Sequence, residues 1–164
     1  MVDSQTIELP DVDATARLAR MLASHLRAGD TVALWGNLGA GKTEFARALI
    51  RAASGSGEIE VPSPTFTLLQ SYEAGAGRIH HFDLYRVTHP DELTELGWDD
   101  AVADGIVLVE WPERAGALLP ATRLDVVMEF GPVATARRAT LRPTGGWGDE
   151  RGAFAALQAE LQGE

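Results

Sequence analysis

The sequence predicts an α/β fold, and three observations carry that prediction. A short run of strand formers, TVALW at residues 31–35, leads through a glycine-rich turn into a proline-free, helix-favouring stretch at 44–53. Two sets of β-rich segments, 66–73 with 78–85 and 124–130 with 132–141, are placed to fold back as antiparallel pairs. Apolar residues recur at helical spacing near both ends of the chain. The length, 164 residues, suits one domain spanning 1–164 that can bury a real core.

Taken in order, residues 6–9 read as a short edge strand closed by Pro10. Asp11 or Asp13 then offers an N-cap to a helix with Leu18, Met21, Leu22 and Leu26 on one face, ending near Gly29. Thr15 is expected at the surface of its first turn. After the strand at 31–35, residues 36–43 read GNLGAGKT and fit G-x-x-x-x-G-K-[ST] at every fixed position. Glycines at such a turn let backbone N–H groups point inward around phosphate oxygens, and the helix that follows aims its positive dipole end at the same charge. Gly36, Asn37, Leu38, Gly39, Ala40, Gly41, Lys42 and Thr43 are therefore the candidate nucleotide-binding segment. Lys42 is expected to reach the β- and γ-phosphates of ATP, and the Thr43 hydroxyl to ligate the accompanying Mg²⁺.

Residues 53–60, ASGSGEIE, form a glycine-rich linker, whereas Pro62 and Pro64 stiffen 61–68 into extended geometry. That segment either presents Ser63 and Thr65 to a γ-phosphate, as an ordering switch loop does, or is a proline-shaped entry into the next strand. In the hairpin that follows, alternation places Ile79, His81, Asp83 and Tyr85 on one face and His80, Phe82 and Leu84 on the other. The two histidines cannot share a metal and read as ordinary strand residues. Asp83 lies among apolar neighbours, so it either pairs with Arg86 or works near a metal.

Residues 90–104 suggest one or two short helices broken at Gly97. IVLVEW at 106–111 is an apolar strand with Glu110 as its only carboxylate, at the tip, where an acid holds Mg²⁺ or positions a water. Arg137, Arg138 and Arg142 fall in an alternating stretch and read as solvated strand positions. Phe154, Leu157 and Leu161 predict a terminal packing helix.

Acidic residues outnumber basic ones 24 to 14, for a formal charge of −10, which disfavours direct, tight binding to a phosphate backbone. The absence of cysteine excludes disulfides and thiolate metal sites. No apolar run is long enough to span a membrane, and the first residues are acidic where a secretory signal is basic, so the expected location is cytoplasmic, with no membrane partner.

GNLGAGKT, SPTFTL with Tyr72 after it, HFDLYR, ELTELGWDD and VEWPE occur in an order and spacing that resemble the TsaE family, the ATPase of bacterial tRNA threonylcarbamoyladenosine synthesis, over about residues 5–130. The resemblance implies a P-loop NTPase-like fold with a mixed parallel and antiparallel sheet flanked by helices. It also implies a Mg²⁺-dependent ATPase, slow alone, that acts on the complex of TsaD and TsaB. That complex performs the transfer to the adenosine next to the anticodon, so tRNA is met only indirectly. By matching motifs, Lys42 and Thr43 take the phosphate and Mg²⁺ roles, Glu110 a Mg²⁺ role, and Asp83 that of the essential acid. Thr65 is the candidate nucleotide contact of the stiff segment. Two departures, Asn37 where aspartate is common and Glu44 where a second threonine is usual, leave the phosphate donors intact and put turnover rate in question. Two other classes stay open. A small-molecule kinase shares the loop but needs an arginine-bearing lid, which is not apparent between Asp83 and Glu110; a nucleotide-dependent binding switch needs little hydrolysis.

Overall fold

The computed structural model describes residues 4–57, 59–64 and 66–163. Its centre is one seven-stranded sheet built from β1 (Gln5–Leu9), β2 (Thr31–Trp35), β3 (Leu69–Ala74), β4 (Gly77–Asp83), β5 (Ile106–Glu110), β6 (Arg123–Phe130) and β7 (Arg137–Thr144), in the order β1-β7-β6-β2-β5-β4-β3. The four inner strands β6, β2, β5 and β4 run parallel, while β1, β7 and β3 are antiparallel to their neighbours. The mixed sheet implied by the resemblance is therefore present, with the antiparallel strands gathered at the two edges.

Helices cover both faces, and strand alternation decides which side chains they meet. Val32, Leu34, Ile79, Ile106, Leu108, Leu124 and Val126 face α1 (Val12–Ala23), α2 (Lys42–Ser54) and α5 (Ala153–Gln162), in a core that includes Leu18, Leu22, Phe45, Leu49, Ile50, Phe154 and Leu157. Ala33, Phe82, Val107 and Val109 face the other way. They meet Leu93 of α3 (Asp91–Glu95), Trp98 of α4 (Trp98–Asp104) and Ala115 of a short 3-10 segment, Pro112–Leu118. Phe82 and Trp98 pack edge to face at 4.8 Å between centroids. Each such large apolar side chain, once buried, contributes about 1.5–3 kcal/mol, and this holds the helices on the sheet.

Several boundaries differ from expectation. Asp11 caps α1 by accepting from the Ala14 N–H at 2.8 Å, but the helix stops at Ala23, not near Gly29. The chain turns at once, with His25 N–H bonded to Leu22 O, and Gly29, at φ +98°, redirects it into β2. Thr15 is buried, not exposed, because the first turn of α1 packs into the core. The linker after α2 begins only at Gly55. The hairpin strand starts at Leu69 instead of residue 66, since Leu68 closes a turn on Pro64 O and leaves Phe66 exposed. β4 ends at Asp83, so Leu84 and Tyr85 lie beyond it. Arg137 begins β7 late because a turn, with Ala136 N–H bonded to Val133 O, fills the space after Phe130. Phe130, the last residue of β6, is 54% exposed. Gly97, at φ +81°, separates α3 from α4 as the sequence predicts.

Candidate functional site

The site is assembled where β2, β4 and β5 end. Parallel pairing sets Asp83 beside Glu110 and Glu110 beside Leu34, so two carboxylates and the loop that follows Trp35 meet at one edge of the sheet. In open parallel sheets this carboxyl edge is where ligands bind. Lys42, Thr43, Asp83, Tyr85, Glu110 and Trp111 line a cleft of about 350 Å³ there, together with Leu38, Gly39, Gly41 and Glu44.

The loop can be made only with glycine at its key positions. Gly36 has φ +148°, and a Cβ on it would lie 2.5 Å from the Met128 carbonyl oxygen on β6. Gly41, at φ +103°, opens α2 with no side chain capping the first turn, so that turn keeps its N–H groups for a ligand. Asn37, Leu38 and Gly39 form the exposed outer arc, and Ala40 is buried beneath them.

Lys42 is 5% exposed. Its ammonium donates to the Gly36 and Asn37 carbonyls, the latter at 3.4 Å, and lies 3.6 Å from the centroid of the Trp111 ring. Burial pushes its pKa below the ordinary lysine value, with Glu110, Glu113 and Asp83 pulling in the opposite direction. Trp111 itself sits in the left-handed region, φ +58° and ψ +51°, a conformation costly for a bulky side chain, and packs against Tyr85 with the rings tilted by 52° and 5.0 Å between centroids.

Glu110 is 2% exposed, yet both carboxylate oxygens are bonded. Oε1 accepts from the Thr43 hydroxyl at 2.9 Å and Oε2 from His81 Nε2 at 2.7 Å. Asp83 accepts from the Tyr85 N–H at 3.0 Å, a contact that holds the chain as it leaves β4. Arg86, offered by the sequence as a partner for Asp83, lies with its guanidinium 4.4 Å from the Phe66 ring centroid.

Lys42, Thr43, Asp83 and Glu110 thus come together as the sequence predicts, with the loop residues around them. Thr65 lies outside the described residues, and Ser63 is exposed away from the cleft lining. His81, expected as an ordinary strand histidine, bonds Glu110, and Tyr85 and Trp111, which carry no sequence signal for the site, line the cleft. Alternation did put His81 on the face of Asp83, but its partner is 29 residues away on another strand. Arg137 also departs from the solvated-strand expectation. It donates to Gly39 O at 3.2 Å and lies over the Phe130 ring, bracing the loop from β7, whereas Arg138 pairs with Glu8 and Arg142 is exposed. Glu44, one of the two departures from the family pattern, pairs with Arg47 on the helix surface at 2.8 Å.

Among the described residues no group of three or more His, Cys, Asp or Glu side chains could hold a metal. Thr43 and Glu110 supply two oxygens, which suits Mg²⁺, an ion that takes few protein ligands and completes its shell with water and phosphate. No helix among the described residues is long and apolar enough to cross a membrane.

A glycine-dependent phosphate loop between a central parallel strand and a helix, with an acid at the tip of the adjacent strand, defines a P-loop NTPase-like fold. A crystal structure of YdiB from Bacillus subtilis superposes with a TM-score of 0.76 at 26% identity, covering 98% of this chain and 97% of that one. Residues 9–139 match the family model described as threonylcarbamoyl adenosine biosynthesis protein TsaE, and the chain belongs to the TsaE family. Relatives named tRNA threonylcarbamoyladenosine biosynthesis protein TsaE include that of Rickettsia conorii, 42% identical over 117 residues, which are 71% of this chain and 66% of that protein, just under two thirds of its length. The Aquifex aeolicus relative is 41% identical over 106 residues, 65% of this chain and 75% of its own. That of Nostoc is 34% identical over 152 residues, 87% of this chain and 91% of its own.

Proposed function

We propose that the chain binds ATP with Mg²⁺ in the cleft and hydrolyses it in the service of tRNA threonylcarbamoyladenosine biosynthesis, acting on a TsaD–TsaB complex that carries out the transfer. The observation that carries this reading is the convergence of Lys42, Thr43, Asp83 and Glu110 from three separate strand ends into one cleft. The N–H groups of the loop and of the first turn of α2 receive phosphate oxygens. Lys42 exchanges its loop carbonyls for the β- and γ-phosphates, which suits a buried cation held by backbone oxygens at the mouth of the loop. Thr43 and Glu110 would hold Mg²⁺, which offsets charge on the transferring phosphoryl group. Asp83, next to Glu110 in register, accepts the proton of the attacking water as its oxygen bonds to the γ-phosphorus and the bond to the bridging oxygen of ADP breaks.

The acidic surface fits a protein that meets tRNA through its partner complex. The test is ATP consumption by the chain alone, with candidate metabolites, and with a TsaB–TsaD complex. Slow turnover alone and faster turnover with the complex are expected. Consumption that appears only with a metabolite would move the chain to the kinases, and failure to bind ATP would end the reading altogether.

A further inference from the structure

The cleft residues so far leave one buried polar side chain unused. His81 is fully buried on β4, two residues before Asp83 on the same face, and its Nε2 lies 2.7 Å from Glu110 Oε2. An ionised carboxylate only accepts hydrogen bonds, so Nε2 carries the proton in this contact. Its Nδ1 is buried and has no hydrogen-bond partner among the described residues. An imidazole held this way is expensive, because the orphaned nitrogen loses its water and gains nothing. A leucine would fill the space between Ile79 and Asp83 at lower cost. The neighbouring His80 makes the contrast: on the opposite face and only half-buried, it bonds the exposed Ser71 hydroxyl at 2.8 Å.

What His81 obtains is control of one oxygen. With Oε2 pinned from the core side, the Glu110 carboxylate can rotate little, and Oε1 stays on the Thr43 hydroxyl at 2.9 Å. The two oxygens expected to meet a cation are then held at one spacing before any cation arrives. We propose that His81 is a positioning residue, whose bond to Glu110 Oε2 presets the Glu110–Thr43 pair as a Mg²⁺ site. This rests on the reading of the cleft as a Mg²⁺–ATP site. Partners that orient metal ligands in this way are commonly worth about 10- to 100-fold in metal affinity.

The experiment titrates MgCl₂ into the full chain with a fluorescent ATP analogue and reads nucleotide binding, with thermal melting run in parallel. His81→Phe keeps bulk and removes the donor, whereas His81→Gln restores an N–H at about the position of Nε2. For His81→Phe we expect the Mg²⁺ needed for half-maximal enhancement of binding to rise about tenfold, while affinity in EDTA stays within about twofold. His81→Gln should return the Mg²⁺ requirement to within about threefold of the natural chain. If His81→Phe melts too low to titrate, His81→Asn, whose amide falls short of Glu110, replaces it with the same expected outcomes. A donorless variant with an unchanged Mg²⁺ requirement would overturn the proposal, as would equal shifts in the donorless and glutamine variants. A natural chain that binds no nucleotide would bring down the ATP reading and this role together. A normal titration of the natural chain beside an unresponsive variant would remove the positioning role alone.

Discussion

Two carboxylates are buried on the strands that flank β2, Asp125 on β6 and Glu110 on β5, and each has both oxygens bonded. Asp125 Oδ1 accepts from the Trp35 indole at 2.7 Å and the Arg123 guanidinium at 2.8 Å, while Oδ2 accepts from the Thr144 hydroxyl at 2.8 Å. Glu110 has a hydroxyl and an imidazole for partners and opens onto a cleft. Burial and satisfied hydrogen bonds are common to both, so neither property marks a working acid. The difference lies in what the bonds can give up. Asp125 is tied to a fixed cation and ties three stretches of chain together. Glu110 is held by a hydroxyl and an imidazole at the wall of a cleft, and under the function proposed above a cation would enter there.

Variants around the two acids test this contrast, in order of their effect on turnover. Lys42→Ala should abolish nucleotide binding, raising the ATP dissociation constant by at least about 100-fold in calorimetry, because only backbone donors would then face the phosphate charge. Unchanged affinity would make the Glu110 side no more a ligand site than the Asp125 side. Glu110→Ala should slow Mg²⁺-dependent hydrolysis by about 100-fold, or roughly 2.7 kcal/mol of barrier, while Mg²⁺-free binding holds within about twofold. Equal losses in the two assays would place Glu110 with Asp125 as a structural acid. Asp83→Asn keeps shape and hydrogen-bonding capacity, so its melting midpoint should stay put while hydrolysis and reconstituted tRNA modification fall by about 100-fold. A lowered midpoint with near-normal specific activity would assign Asp83 to the scaffold. Asp125→Ala should do the reverse of Glu110→Ala. Stability drops by about 3 kcal/mol in urea unfolding, since Arg123 and the Trp35 indole lose their shared acceptor, and activity per folded molecule changes little.

How far these placements were legible in the sequence follows from the distance over which each is decided. The strand, loop and helix around residues 36–43 are local, set by glycine spacing and apolar runs, and they came out with the right order and nearly the right ends. The place of Glu110 in the cleft was legible because a lone acid at the tip of an apolar strand is costly to bury without partners. His81 was not, since alternation says which face a residue takes but not which strand will pair alongside, and the register of β4 against β5 decides that it meets Glu110. Asp125 escaped for the same reason: in an alternating strand it reads as a solvent-facing position, and only the indole of Trp35 from β2 shows that its face is covered. The early end of α1 and the left-handed turn at Trp111 depend on bonds made after the chain has folded back, as with the Gly29 N–H on Gly105 O.

The order of the strands also bears on how the protein is born. β2 has no hydrogen-bonded neighbour among the strands made before it, because it pairs with β5 from Thr31↔Val107 and with β6 from Val32↔Leu124. β1, made before β2, waits longer still, for Gln5 finds its place opposite Leu141. During synthesis the glycine loop therefore emerges early onto a strand with nothing on either side, and an unpaired apolar strand is a hazard for association with other chains. Contacts so distant in sequence make for slow closure. A nascent chain stalled before β6 would expose β2 along one whole edge, and it is at that stage, not in the finished protein, that a chaperone has most to shield.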